Sequence, residues 1–140
     1  MGQAGQHVLI VDQRTAYQAI TEAVMRRSGR RVTLATNYDE AVAVLRSSLH
    51  PIVVHTNSVV IIPSEGYGSM IFALLANPDF AATHAFVVSS ALDEDDANEM
   101  RARIAATCAG YVGWLRLPTK ASRIIQAQEA AEVWLAAPGG

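Results

Sequence analysis

The 140-residue chain predicts a three-layer α/β fold, a parallel five-stranded sheet covered by helices on both faces. Three observations carry this expectation. Strand-like and helix-like segments alternate from one end to the other. The strand-like runs are almost continuously apolar, the pattern of strands buried on both sides rather than one. The connections are short, so each strand must return parallel to the last through a right-handed crossover. Hydrophobic residues are 51% of the chain and charged residues 17%, a balance that supplies a dense core and argues against disorder.

Taken in order, HVLIVD (7–12) is a short apolar strand ending in an acid. From Thr15 to Arg27, Ala16, Ile20, Ala23 and Val24 recur at helical spacing and are expected to face inward, and Ser28-Gly29 stops that helix. RVTLAT (31–36) is a β-branched strand. Asn37 is a good N-cap for a helix presenting Ala41, Val44, Leu45 and Leu49 to the core, broken at His50-Pro51. IVVHT is the third strand. Gly66 and Gly68 punctuate a loop before a helix over about 69–76, which Asn77-Pro78 ends. HAFVVSS (84–90) is the fourth strand. Asp93 can cap the next helix, whose inner face is Ala97, Met100, Ile104 and Cys108 and whose first turn is acidic, as the helix dipole favours. Ala109-Gly110 stops it, YVGWLRL (111–117) is the fifth strand, and Pro118 precedes a last helix through about Leu135.

Five such units fit a flavodoxin-like (βα)5 sandwich with sheet order 2-1-3-4-5. In that order the carboxyl ends of strands 1, 3 and 4 meet at the switch point where ligands bind. Asp12, the His55–Asn57 region and Ser89-Ser90 are thereby brought to one edge.

Length suits one domain spanning 1–140, with a core over about 7–136 and a frayed tail or linker start at 137–140. A net charge of −2 without any basic block gives no electrostatic case for nucleic acid or an anionic membrane. Cys108 is the single cysteine, so no internal disulfide or cysteine zinc cage can form, and a buried thiol is expected. No apolar run reaches the roughly 18 residues of a membrane span, and no signal peptide is evident. A soluble cytoplasmic protein is expected.

Several segments together resemble the response-regulator receiver (CheY-like) family. HVLIVDQ is similar to its first strand, which ends in paired acids. YDEAVAVLRSSLHPIVVHTN is similar to its second helix and third strand, AFVVSSA to its fourth strand, and AGYVGWLRLP to its fifth, which ends in Lys-Pro. The resemblance implies a phosphorylation pocket, and position by position that pocket is degenerate. Asp12 matches one magnesium-holding acid, but Gln13 stands where the second is expected. Asn57 matches the phospho-acceptor aspartate, Ser90 the hydroxyl that contacts the phosphoryl group, and Leu117 stands in place of the lysine. Trp114 matches the aromatic switch position. Pro63 and Gly66 come later than the family spacing, which implies a small insertion after the third strand.

Phosphoryl transfer to a carboxylate needs an ionised nucleophile, a magnesium ion and a cation to offset developing charge. An amide at Asn57 is not such a nucleophile, Leu117 neutralises nothing, and one carboxylate with two amides is a poor magnesium site. No cofactor is therefore expected. The individual residues also have local readings: Asp12 as a loop or helix cap, Asn57 and Ser90 as backbone-bonding residues, Trp114 as packing, and His55 as a core or interface histidine.

Three functions compete on this reading. The first is a receiver-like domain of a two-component phosphorelay that binds a protein partner, or a second copy, without aspartate phosphorylation. Its surface would be the helix before the fifth strand, that strand and the last helix, including Trp114, Arg116, Arg103 and Lys120. The second is a small-ligand or anion sensor using Asp12, Ser89, Ser90 and Asn57, with the Pro63–Gly68 loop as a lid. The third is a hydrolase built from Ser58 or Ser90 with His55; it lacks a Gly-x-Ser-x-Gly elbow and an orienting acid, so no enzyme is expected.

Overall fold

A computed structural model describes residues 5–12, 16–57, 80, 83–90 and 94–137. Its elements are β1 (His7–Val11), α1 (Ala16–Arg27), β2 (Arg31–Ala35), α2 (Tyr38–Ser47), β3 (Val53–Asn57), β4 (Ala85–Ser90), α3 (Glu94–Thr107), β5 (Tyr111–Arg116) and α4 (Ala121–Ala136). The helix expected over 69–76, the Pro63–Gly68 loop, the Asp93 cap and the tail at 138–140 lie outside the described residues.

The strands form one parallel sheet in the order β2-β1-β3-β4-β5, the expected flavodoxin-like order. Side chains alternate along each strand and divide the core in two. Leu9, Val11, Val54, Phe86 and Val88 face α2 and α3, where Ala41, Val42, Leu45 and Ile104 close over them. Val8, Ile10, Val53, Ala85, Val87 and Leu115 face the other way, against Met25 of α1 and Ile124 and Ala131 of α4. Between β4 and β5 the register slips by one residue after Phe86, which pairs with Tyr111 while Val87 pairs with Gly113. That irregularity turns Trp114 onto the α3 side.

The α2 start forms as its sequence suggests. Asn37 takes an extended backbone, its Oδ1 accepts the Glu40 N–H at 2.9 Å, and Glu40 Oε1 accepts the Thr36 N–H and hydroxyl at 2.7 and 2.9 Å. The Glu40 N–H of the first turn and the Thr36 N–H ahead of it are thus satisfied locally. Cys108 is buried one residue beyond the end of α3, and burial pushes its thiol up to about 11.

Two inner faces differ from expectation. In α1 the buried residues are Gln18, Thr21 and Met25, whereas Ala16 is exposed and Ile20 is 42% exposed. The helix packs between β1, β2 and α4, and this rotates its polar stripe inward. In α2 the core residues are Ala41, Val42 and Leu45, and Leu49 is 92% exposed. The helix ends at Ser47, and Ser48 is already extended, so Leu49 leaves the helical face before the break at Pro51.

Candidate functional site

The carboxyl edge of the sheet is assembled by register. Val11 pairs with Ala35 on one side and Thr56 on the other, and Asp12 follows directly, its N–H donating to Ala35 O at 3.0 Å. Asn57 ends β3 opposite Ser89, and Ser90 pairs with Arg116. The Leu117 N–H then donates to Ser90 O at 2.8 Å, and the Leu117–Pro118 peptide is cis. Asp12, Asn57, Ser90 and Leu117 therefore occupy consecutive strand ends on one rim, as the order 2-1-3-4-5 requires. Asp12 and Ser90 are buried, at 4% and 1% exposure. For Asn57 only the backbone is described, and Gln13 lies outside the described residues, as does Ser58. Among the described residues at these strand ends, Asp12 is the sole carboxylate and no lysine is present.

The side chains expected at the interaction surface lie on or beside β5, which among the described strands pairs with β4 alone. Arg116 and Lys120 are exposed, the latter as the N-cap of α4, and Arg103 is exposed on α3. Trp114 is half-buried against the α2/α3-side core, and the Arg101 guanidinium lies over its ring at 5.9 Å from the centroid. The indole is thus an amphipathic edge residue, apolar inward and covered by a cation outward.

A third set of residues joins His55 to three polar partners that no motif announces. Arg30, immediately before β2, makes a bidentate ion pair with Glu132 of α4, Nε to Oε2 at 2.7 Å and Nη2 to Oε1 at 2.8 Å. Both side chains are nearly inaccessible, and the bonds from Glu132 hold the guanidinium pKa above its ordinary value. Gln128 donates its amide N–H to Glu132 Oε2 at 2.9 Å. That orientation leaves Gln128 Oε1 as an acceptor 2.8 Å from His55 Nε2, so His55 carries its proton on Nε2. His55 Nδ1 has no hydrogen-bond partner among the described residues. Burial drives the His55 pKa down to about 4, an effect that the Gln128 bond partly opposes. The ring is therefore neutral near pH 7.

The polar chain runs from the α1–β2 turn through the inner face of α4 to the middle of β3, two residues from Asn57. Its signal in the sequence is Gln128 and Glu132 standing four apart beside Ile124 and Ala131, a polar pair on an apolar stripe. His55 is a core histidine held by this chain. By strand alternation it faces α4 while Ser90 faces the α3 side, so the two do not form a nucleophile–base pair.

No protein-family model matches the sequence, and no curated protein does. Solved structures do. The chain is similar to a two-component response regulator from Clostridium difficile, with a TM-score of 0.71 at 15% identity over 94% of this chain and 99% of that one. It is similar to the chemotaxis response regulator CheY4 of Vibrio cholerae, with a TM-score of 0.69 at 15% identity over 90% and 98% of the two chains. A response regulator from Thermotoga maritima matches with a TM-score of 0.65 at 20% identity over 94% and 98%. The chain therefore has the receiver fold over nearly its full length, at identities where the fold is what is shared. No described helix is long and apolar enough to cross a membrane.

Proposed function

We propose that this chain is a receiver-type module of two-component signalling that binds a protein partner, or a second copy of itself, without passing through an aspartyl phosphate. The observation that carries the reading is the joint identity of the residues on one rim: Asp12 followed by Gln13, then Asn57, Ser90 and Leu117 on adjoining strand ends. A receiver pocket on this frame would set a nucleophilic aspartate at position 57, a second acid at 13 and a lysine at 117. Here two of those groups are amides and the third is aliphatic. The donor set is a poor one for magnesium, which favours several hard oxygens: Asp12 is the one carboxylate among the described strand-end residues, and positions 13 and 57 carry amides.

The surface that remains for signalling is the β5 edge with α3 and the start of α4, bearing Trp114, Arg116, Arg103 and Lys120. Its cations suit an acidic partner face, and its indole supplies a large rigid anchor. The protein is an interaction module on this reading and not an enzyme.

Incubation with acetyl phosphate and magnesium, followed by intact-mass measurement, is expected to leave the chain unmodified. A triple variant, Gln13→Asp with Asn57→Asp and Leu117→Lys, is expected to acquire a labile phosphoryl adduct. An adduct on the natural chain overturns the proposal.

A further inference from the structure

The opposite end of the strands carries a cleft that the proposed function does not use. It consists of two adjoining depressions, about 350 and 450 Å³, that share His7, Arg31 and His50 in their walls. Both volumes fall in the range of small-molecule sites. The first is closed by Gln6, Pro51, Leu135 and Glu132, the second by Thr33, Ser48, Val44 and Leu49.

Gln6, Ser47 and Ser48 in these walls donate to backbone carbonyls, while Arg31, His7 and His50 keep side-chain nitrogens that no described residue engages. Arg31 uses only its Nε–H, which donates to Gly5 O at 3.0 Å, so both terminal nitrogens of the guanidinium are free among the described residues. The His50 ring has no partner among them, and His7 engages only Nε2, 2.7 Å from Thr33 Oγ1. Glu132 is the one carboxylate in the wall. Both its oxygens are occupied by Arg30, and Oε2 also accepts from Gln128, so its charge is already matched from behind. The local balance is positive. The His7 imidazole registers this, since its pKa is lowered by burial and then by the Arg31 charge.

We infer that this cleft binds a small phosphate-bearing molecule, with the free Arg31 fork as its anchor and the His7 and His50 rings as flanking donors. A guanidinium presents paired N–H groups that match two phosphate oxygens, and a ring N–H of either imidazole can add a further donor. The apolar walls, Leu135 on one side and Val44 and Leu49 on the other, accommodate an organic portion of the ligand. The site lies at the amino end of the strands, away from the Asp12–Leu117 rim, and its fate is independent of the proposed function.

The test is an NMR titration of the full chain with inorganic pyrophosphate and, separately, with adenosine diphosphate, following the ring resonances of His7 and His50. Both are expected to shift saturably, and the His7 pKa to rise as the anion offsets Arg31. Arg31→Gln, an exposed edge-strand change, is expected to weaken binding about tenfold or more, the scale of a lost charge-assisted bond. His50→Ala is expected to weaken it less, and Arg123→Gln, at the far end of α4, not at all. Tighter binding of adenosine diphosphate assigns a nucleotide ligand, and equal binding an inorganic one. Non-saturating shifts, or equal affinity in a folded Arg31→Gln variant, overturn the inference.

Discussion

Between the sheet and α2/α3, Leu9, Val11, Val54, Phe86 and Val88 meet Ala41, Val42, Leu45 and Ile104, and the fully buried polar residues of these strands, Thr56 and Ser90, lie at their carboxyl ends. Between the sheet and α1/α4 the same apolar strands meet a four-residue polar chain, His55–Gln128–Glu132–Arg30, in the middle of the packing. One face is specified by volume. The other is specified also by donors and acceptors that match in one register of α4 only, because a helix shifted by a turn would strand a buried charge. The difference teaches where rigidity is built: α4, which flanks the proposed interaction edge, is pinned by polar geometry. The apolar face can absorb small changes by repacking.

The largest effect expected from breaking this comparison is at Glu132. Glu132→Ala leaves the Arg30 guanidinium buried without its counter-ion, a change that costs about 3–5 kcal/mol and lowers Tm by roughly 10–20 °C. Replacing the pair together, Arg30→Met with Glu132→Leu, is expected to recover most of that loss, since two buried charges disappear with their desolvation cost. Thermal and urea denaturation of the three proteins measures both. A loss below about 1 kcal/mol in Glu132→Ala would place the pair with ordinary surface ion pairs and dissolve the contrast.

How much of this was legible in the sequence follows from which interactions are local. β1, β3 and β4 were readable because doubly buried strands are continuous apolar runs bounded by polar residues. The α2 start was readable because Asn37 and Glu40 satisfy it within three residues. The α1 face was not. Of the expected stripe Ala16, Ile20, Ala23 and Val24, Val24 packs against the core, but the helix exposes Ala16 and Ile20 and turns Gln18 and Thr21 inward, and nothing near them in the chain announces it. Of the polar chain only the Gln128–Glu132 pair shows locally, on an apolar stripe; the partners of that pair, His55 and Arg30, lie 73 and 102 positions away. At the candidate site, strand order alone placed Asp12, Asn57 and Ser90 on one rim. Residue identity alone supplied the argument about chemistry. The cleft at the other rim needs His7, Arg31 and His50 from three separate segments, and periodicity carries no sign of that meeting.

Acid sharpens the comparison next. Unfolded, the His55 imidazole takes a proton near 6.5, whereas the folded chain refuses it until about 4. Between those values the unfolded state holds more protons, so stability is complete above pH 6.5 and falls as pH drops toward 4. Desolvation sets the depression; Arg30 adds to it, and Glu132 and the Gln128 bond oppose it. The loss attributable to His55 is about 3 kcal/mol across the window. His84, whose Nδ1 accepts the Ile52 N–H at 3.0 Å at the rim of the other face, is lowered to about 4 by burial and acts in the same direction. Unfolding free energy measured from pH 7 to pH 4 should therefore decline steeply, and His55→Met should flatten the slope by the share of one histidine. An unchanged slope in that variant would remove His55 from the account.

The smallest effect belongs to the apolar face. Ile104 is fully buried on α3 among Val54, Phe86, Val88 and Cys108, with no polar group of its own to strand. Ile104→Val removes one methylene, and the surroundings can close on part of the space, so the expected cost is about 0.5–1.5 kcal/mol. On the other face Gln128→Ala deletes four heavy atoms, only one of them an apolar methylene carbon, and it deprives the His55 Nε2–H of its acceptor and Glu132 of a donor, each buried. It should cost more than Ile104→Val, the excess coming chiefly from the stranded polar groups. Urea denaturation of the two variants side by side gives the ordering, with unchanged m-values showing that both remain two-state. Were Ile104→Val the costlier, volume would govern both faces equally, and the polar chain would be packing that happens to carry charge.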